Sequence, residues 1–166
     1  MNPDDKIYHV LFICTRNSAR SIMAEGMLNH LGRGRFRAWS AGSYPAGEVH
    51  PLALVTLADM NLSTTGYRSK DWNEFATPDA PHMDFVLTVC DKAAGEACPT
   101  WPGQPMTAHW GVADPAEVTG DEAERAKAFR DAASVLRRRI ELMLSLPLDA
   151  LDTLSLQREI QGIGTR

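Results

Sequence analysis

The chain has 166 residues, 44% of them hydrophobic and 23% charged, with a net charge of −4 at neutral pH. That length fits one domain with a sizeable core, and that composition excludes an intrinsically disordered chain. The acidic balance without a long basic run argues against a nucleic-acid binder, and no segment approaches membrane-spanning length.

The start, Met1-Asn2-Pro3-Asp4-Asp5-Lys6, is polar and acidic and does not read as a signal peptide, so a cytoplasmic protein with reduced thiols is expected. Ile7-Tyr8-His9-Val10-Leu11-Phe12-Ile13 then reads as a buried strand. Cys14-Thr15-Arg16-Asn17-Ser18-Ala19-Arg20 follows as a polar loop, and Ser21 to Leu31 as a helix with apolar residues at 23, 27, 28 and 31. A loop between a strand and a helix can turn several backbone N–H groups into one cavity, and the helix N-terminus adds partial positive charge. A tetrahedral oxyanion fits such a cradle. Arg20 can offer it a planar fork of donors, and the same field favours the thiolate of Cys14 as a nucleophile. Thr15, Arg16, Asn17, Ser18, Ala19 and Arg20 are the candidate oxyanion-binding residues. The competing reading is a buried structural cysteine with a solvated arginine; the strand before and the helix after favour the oxyanion loop.

Arg35 to Ala41 alternates as a second strand, and Gly42-Ser43-Tyr44-Pro45-Ala46-Gly47 is a loop. His50-Pro51 opens a helix to about Met60. Asn61 to Lys70 is irregular, and Asp71 to Phe75 reads as a helical turn. Met83 to Val89 is a third, central strand that delivers Cys90 at its C-terminal end. Asp91 to Gly103, which holds Cys98, reads as a loop with a short helix, and Met106 to Trp110 as the last strand. Gly111 to Pro115 is a loop carrying Asp114. A long amphipathic helix runs from about Asp121 to Leu146 and stops at Pro147; Arg137-Arg138-Arg139 within it reads as a solvated face. A weak terminal helix spans about 151 to 161. One domain is expected, with residues 1–147 as its body and 148–166 as an extension of it. Strands alternating with helices give an α/β class with a parallel sheet, whose ligands bind outside the carboxyl ends of the strands.

The cysteines are Cys14, Cys90 and Cys98. An odd count argues against a disulfide scaffold, and the spacing fits no common zinc pattern. A thiol at the end of the third strand can attack a covalent adduct on Cys14, and a thiol on the neighbouring loop can take over that disulfide. A plain phosphatase needs one cysteine, so the other two point to electron transfer. Asp114 precedes a proline, which reads either as a turn or as the acid that protonates a departing oxygen; like-charge repulsion from a bound oxyanion helps a carboxyl keep its proton.

Taken together, these motifs resemble arsenate reductases built on the low-molecular-weight tyrosine phosphatase fold. The likeness covers about Val10 to Leu146. It rests on Cys14 to Ser21 with Met23-Ala24-Glu25-Gly26, on Ser40-Ala41-Gly42, on Val89-Cys90 with Cys98-Pro99, and on His109-Trp110-Gly111 with Asp114-Pro115. The resemblance implies a three-layer, four-stranded parallel sheet flanked by helices. It implies reduction of arsenate, with phosphate or sulfate as analogues, through a Cys14 adduct and a cascade of disulfides. Carried over, Arg20 is the oxyanion clamp, Ser21 hydrogen-bonds the thiolate, Asn17 shapes the loop and Asp114 handles the proton. Cys90 attacks Cys14 to expel arsenite, and Cys98 then attacks Cys90. Thioredoxin, glutaredoxin with glutathione, or another low-molecular-weight thiol would each fit as the reductant, and a monomer is expected.

Some features depart from that pattern. Arg16 and Ala19 stand where a glycine and a cysteine are common, and seven residues separate Cys90 from Cys98, one more than in thioredoxin-linked members. Some members bind potassium near the loop; here Lys70 replaces the acidic residue expected there, which implies no required metal. Two other functions stay open at this point. A phosphotyrosine phosphatase needs only the loop and Asp114, although Ala116-Glu117 stands where such enzymes usually carry a tyrosine pair. A non-catalytic oxyanion-binding redox sensor is the other.

Overall fold

A computed structural model of the protein describes residues 6–90 and 101–166. Four parallel strands form one sheet in the order β2-β1-β3-β4, with β1 Tyr8–Cys14, β2 Phe36–Gly42, β3 Phe85–Thr88 and β4 Met106–His109. Helix α1 (Arg20–Leu31) joins β1 to β2, and α2 (Pro51–Asp59) follows β2; α3 (Glu122–Leu144) and α4 (Thr153–Ile163) follow β4. The three-layer α/β expectation is met.

β1 is central because it is apolar on both faces. Val10, Leu11, Phe12 and Ile13 are all fully buried, as a strand covered on each side must be. Its chain continues to β2 on one flank, and the later strands lie on the other. The strand order therefore reverses at β1, and the crevice outside its carboxyl end is where such sheets bind ligands. Cys14 is the last residue of β1, and Cys90 follows the adjacent β3.

The other elements carry ordinary start and stop signals. His50 caps α2 through its ring, which accepts from the Leu52 N–H at 3.1 Å, and Pro51 fills the first helical position. Asp121 and Asp152 cap α3 and α4 through side-chain oxygens. The terminal helix is longer at its C-terminal end than the spacing predicts, and it packs on the sheet edge: Trp110, fully buried, donates through Nε1 to the Ile160 carbonyl at 2.9 Å.

One expectation fails. Arg139 is not on a solvated face. It falls within the buried stripe of α3 formed by Phe129, Ala132, Ala133, Leu136, Ile140 and Met143, and its side chain is buried with them. Arg137 does lie outside and pairs with Glu141 at 2.8 Å.

Candidate functional site

The segment after Cys14 curls because Asn17 adopts a φ of +48°, a left-handed conformation that asparagine tolerates better than most residues. The Asn17 side chain is fully buried and holds the curl in shape. Its Oδ1 accepts from the Lys70 backbone N–H at 2.9 Å, which turns its Nδ2 toward Ser21 Oγ at 2.8 Å. Because the Ser21 oxygen already accepts that bond, its own hydrogen is free for the Cys14 sulfur, 2.9 Å away.

The carbonyls of the loop point outward. Those of Thr15, Arg16 and Ser18 accept from the backbone N–H groups of Tyr44, Ala46 and His50 at 2.8 to 2.9 Å, and Ser69 Oγ also donates to the Arg16 carbonyl. In a trans peptide the N–H points opposite its carbonyl. The N–H groups of Arg16, Asn17 and Ala19 are thereby turned toward the inside of the curl. The start of α1 adds to this, since Ala19 leaves the first turn without a side-chain cap. Gly42 makes the close strapping possible: a Cβ there would lie 2.5 Å from the Thr15 carbonyl oxygen and 3.0 Å from the Asn17 nitrogen.

Arg20, on the first turn of α1, is held from the far wall. Its Nη1 donates to the Val112 carbonyl at 2.9 Å, and its Nη2 lies 3.4 Å from the Asp114 carboxylate. Asp114 also caps the turn after it, accepting from the Ala116 N–H at 2.9 Å. A cavity of about 540 Å³ opens above, lined by Thr15, Arg16, Arg20, Tyr44, Cys90, Asp114 and Glu117 among others. Arg16 and Tyr44 are exposed at its rim. Cys14 and Cys90 are both buried, and Cys90 reaches the cavity wall.

Cys90 is tied to the same loop. The Thr15 N–H donates to its sulfur at 3.2 Å, and the Thr15 hydroxyl is 3.3 Å from it. The structure therefore brings Cys14, Ser21, Arg20, Asp114 and Cys90 together around one loop. Cys98 lies outside the described residues. Thr15, expected as an oxyanion ligand, instead spends its N–H on the second cysteine.

Beneath the loop, Lys70 is buried, with its Nζ 2.9 Å from the Arg68 carbonyl, 3.4 Å from Ser40 Oγ and 3.9 Å from Glu25. Burial pushes the ammonium below the usual lysine value, against the pull of Glu25; burial likewise pushes the Glu25 carboxyl up, against its bond from Ser40. These oxygens already face an ammonium, so they do not fit a potassium ion as well.

Sequence reasoning missed the strap from Gly42 to His50, the rim position of Tyr44 and the Thr15–Cys90 contact. The glycines and proline of the strap marked a loop but not what it would hold.

Comparison with known proteins gives a consistent picture. Residues 9–159 match the model of the family described as low molecular weight phosphotyrosine protein phosphatase. The chain is 34% identical to an arsenate reductase of Bacillus licheniformis over 134 residues, 80% of this chain and 91% of that protein. It is 28% identical to a glutaredoxin arsenate reductase of Synechocystis, covering 82% of this chain and 95% of that one. Among solved structures, the thioredoxin-dependent arsenate reductase of Corynebacterium glutamicum superposes with a TM-score of 0.55 at 26% identity, over 84% of this chain and 64% of that one.

Proposed function

The chain belongs to the low molecular weight phosphotyrosine protein phosphatase family, and from its likeness to arsenate reductases within that fold we propose that it reduces arsenate to arsenite, in arsenic detoxification. The observation that carries this reading is the second sulfur: Cys90 lies within hydrogen-bond reach of Thr15, the residue next to Cys14. Hydrolysis of a phosphate ester has no use for it.

In the proposed reaction the Cys14 thiolate attacks arsenic, and an oxygen leaves as water with the proton that Asp114 supplies. Arg20 and the inward N–H groups stabilise the charge on the remaining oxygens. The Cys90 thiolate then attacks the Cys14 sulfur. An S–S bond forms, the S–As bond breaks, and its electron pair stays on arsenic. Arsenic goes from the +5 to the +3 state, and two thiols become one disulfide. Cys98 then attacks Cys90 and leaves a Cys90–Cys98 disulfide for an external dithiol or glutathione system. A thioredoxin or a glutaredoxin fits that role, and a reducing compartment such as the cytoplasm is where the cycle would run. No helix among the described residues is long and apolar enough to cross a membrane.

The test is arsenite production with each reductant system, by the wild type, Cys14→Ser and Cys90→Ser. Production by the wild type alone supports the reading; equal production by Cys90→Ser removes the electron path. A second reading, hydrolysis of aryl phosphates, is favoured by one feature: Tyr44 stands 69% exposed at the rim of the same cavity, where an aromatic leaving group can lie against it. That activity would survive in Cys90→Ser.

A further inference from the structure

Arg139 occupies a core position of α3 without a carboxylate to balance it. It is 8% exposed, and among the described residues it forms no ion pair and its Nε has no hydrogen-bond partner. Burial, with Arg138 alongside in sequence, pushes the guanidinium below the usual arginine value. A methionine or leucine would fill this stripe without the cost of a buried, half-satisfied charge. A local choice that opposes the fold's own pattern is expected where function demands it.

What the guanidinium does make is one bond: Nη1 donates to the Gly111 carbonyl at 2.9 Å. Gly111 lies in the irregular segment between β4 and Pro115, which ends at Asp114. The next residue, Val112, donates its N–H to the Val89 carbonyl at 2.9 Å and accepts from Arg20 Nη1 at 2.9 Å. Asp114 in turn lies 3.4 Å from the other arm of Arg20. A continuous path thus runs from Arg139 through two backbone carbonyls to the clamp and the proton donor.

We propose that Arg139 is a positioning residue: by tying the Gly111 carbonyl to α3 from the core side, it sets the segment Gly111–Asp114 and, through it, Arg20 and Asp114. The proposal rests on the roles given above to those two residues. It accounts for a buried arginine that neither touches the cavity's oxyanion loop nor pairs with an acid. A displacement of about 1 Å in such a segment can cost about a hundredfold in rate, far from the reacting atoms.

Two measurements test it. Hydrogen exchange compares the wild type with Arg139→Met, which has a similar length but no donor, and Arg139→Lys, which keeps one. Exchange in the segment from Gly111 to Val118 should quicken in Arg139→Met and return toward the wild type in Arg139→Lys, with α3 unchanged. Unaltered protection of that segment in Arg139→Met overturns the proposal. The second measurement is the rate at which arsenate, added without reductant, consumes protein thiols. Arg139→Met should slow it about tenfold to a hundredfold in the wild-type background, and by a clearly smaller factor when Asp114 is already alanine, because one branch of the path is then already lost and only that through Arg20 remains. Equal losses in both backgrounds mean a structural role only and overturn the proposal. If the wild type consumes no thiols, arsenate reduction fails as the function, and hydrogen exchange alone decides the role of Arg139. Should Arg139→Met not fold, Arg139→Gln, polar but too short to reach the carbonyl, takes its place with the same expectations.

Discussion

The backbone N–H of Thr15 points at the sulfur of Cys90, 3.2 Å away, so the loop that begins at Cys14 also holds the second cysteine. The Thr15 hydroxyl lies 3.3 Å from the same sulfur. Parallel pairing of β1 with β3 makes this contact, because it brings the carboxyl ends of both strands to one level. The backbone N–H donates to this sulfur and the hydroxyl is within hydrogen-bond reach of it, so both hold the sulfur that must attack Cys14. Thr15→Val keeps the N–H and removes the hydroxyl. It should slow formation of the Cys14–Cys90 disulfide several-fold, about 1 kcal/mol, while phosphate binds as before. Unchanged disulfide formation, followed by quenched-flow trapping of thiols, would leave the hydroxyl without a role.

Ser21 should matter to the first step instead. Its hydroxyl is committed to Cys14 because Asn17 occupies its oxygen. Ser21→Ala removes that donor, and the rate of Cys14 alkylation by iodoacetamide near neutral pH should fall several-fold. Cys90→Ser in the background isolates the signal of Cys14. An equal rate in Ser21→Ala would mean that the hydroxyl gives Cys14 no help in attack.

Arg20→Ala removes the only side-chain fork aimed at the oxyanion cavity from α1 and frees the Val112 carbonyl. The loss in kcat/KM for arsenate should approach about 3–4 kcal/mol, the worth of a donor that acts on developing charge. Steady-state kinetics decide; a loss under tenfold would contradict the assignment.

Much of this was legible in the sequence. The apolar run before Cys14 and the helical spacing after Arg20 fixed the loop between them, because both periodicities are local. Cys90 at the end of a strand was equally local. The strap was not, since its contacts to the Thr15, Arg16 and Ser18 carbonyls join residues about 30 positions apart through backbone atoms alone. Arg139 departs from the sequence expectation for a different reason. Three successive arginines look like a surface, and only the phase of the α3 stripe shows that one of them turns inward.

His50 gives the pH dependence. Burial pushes its ring below the usual histidine value, aided by Arg125 and opposed by Asp114, and its Nδ1 must be unprotonated to accept from Leu52. The folded state thus favours the neutral ring more than the unfolded state does. Its contribution to stability is present above about pH 6.5 and is lost as the pH falls below that toward the lower folded value. Thermal unfolding of the wild type should therefore fall more steeply between about pH 7 and 5 than that of His50→Asn, which caps α2 without titrating. Parallel curves would show that the ring is not protonated differently in the two states.

The most direct test of the account is a thiol count on the fully reduced protein before and after arsenate, with no reductant present, followed by peptide mapping. Arsenate reduction consumes two thiols for each arsenite formed, and Cys14→Ser and Cys90→Ser consume none by this route. Trapped early, the linkage should be Cys14–Cys90; at completion it should be Cys90–Cys98. A wild-type protein that keeps all three thiols while it binds arsenate or hydrolyses aryl phosphates would contradict the central claim and leave the fold with a phosphatase or binding role.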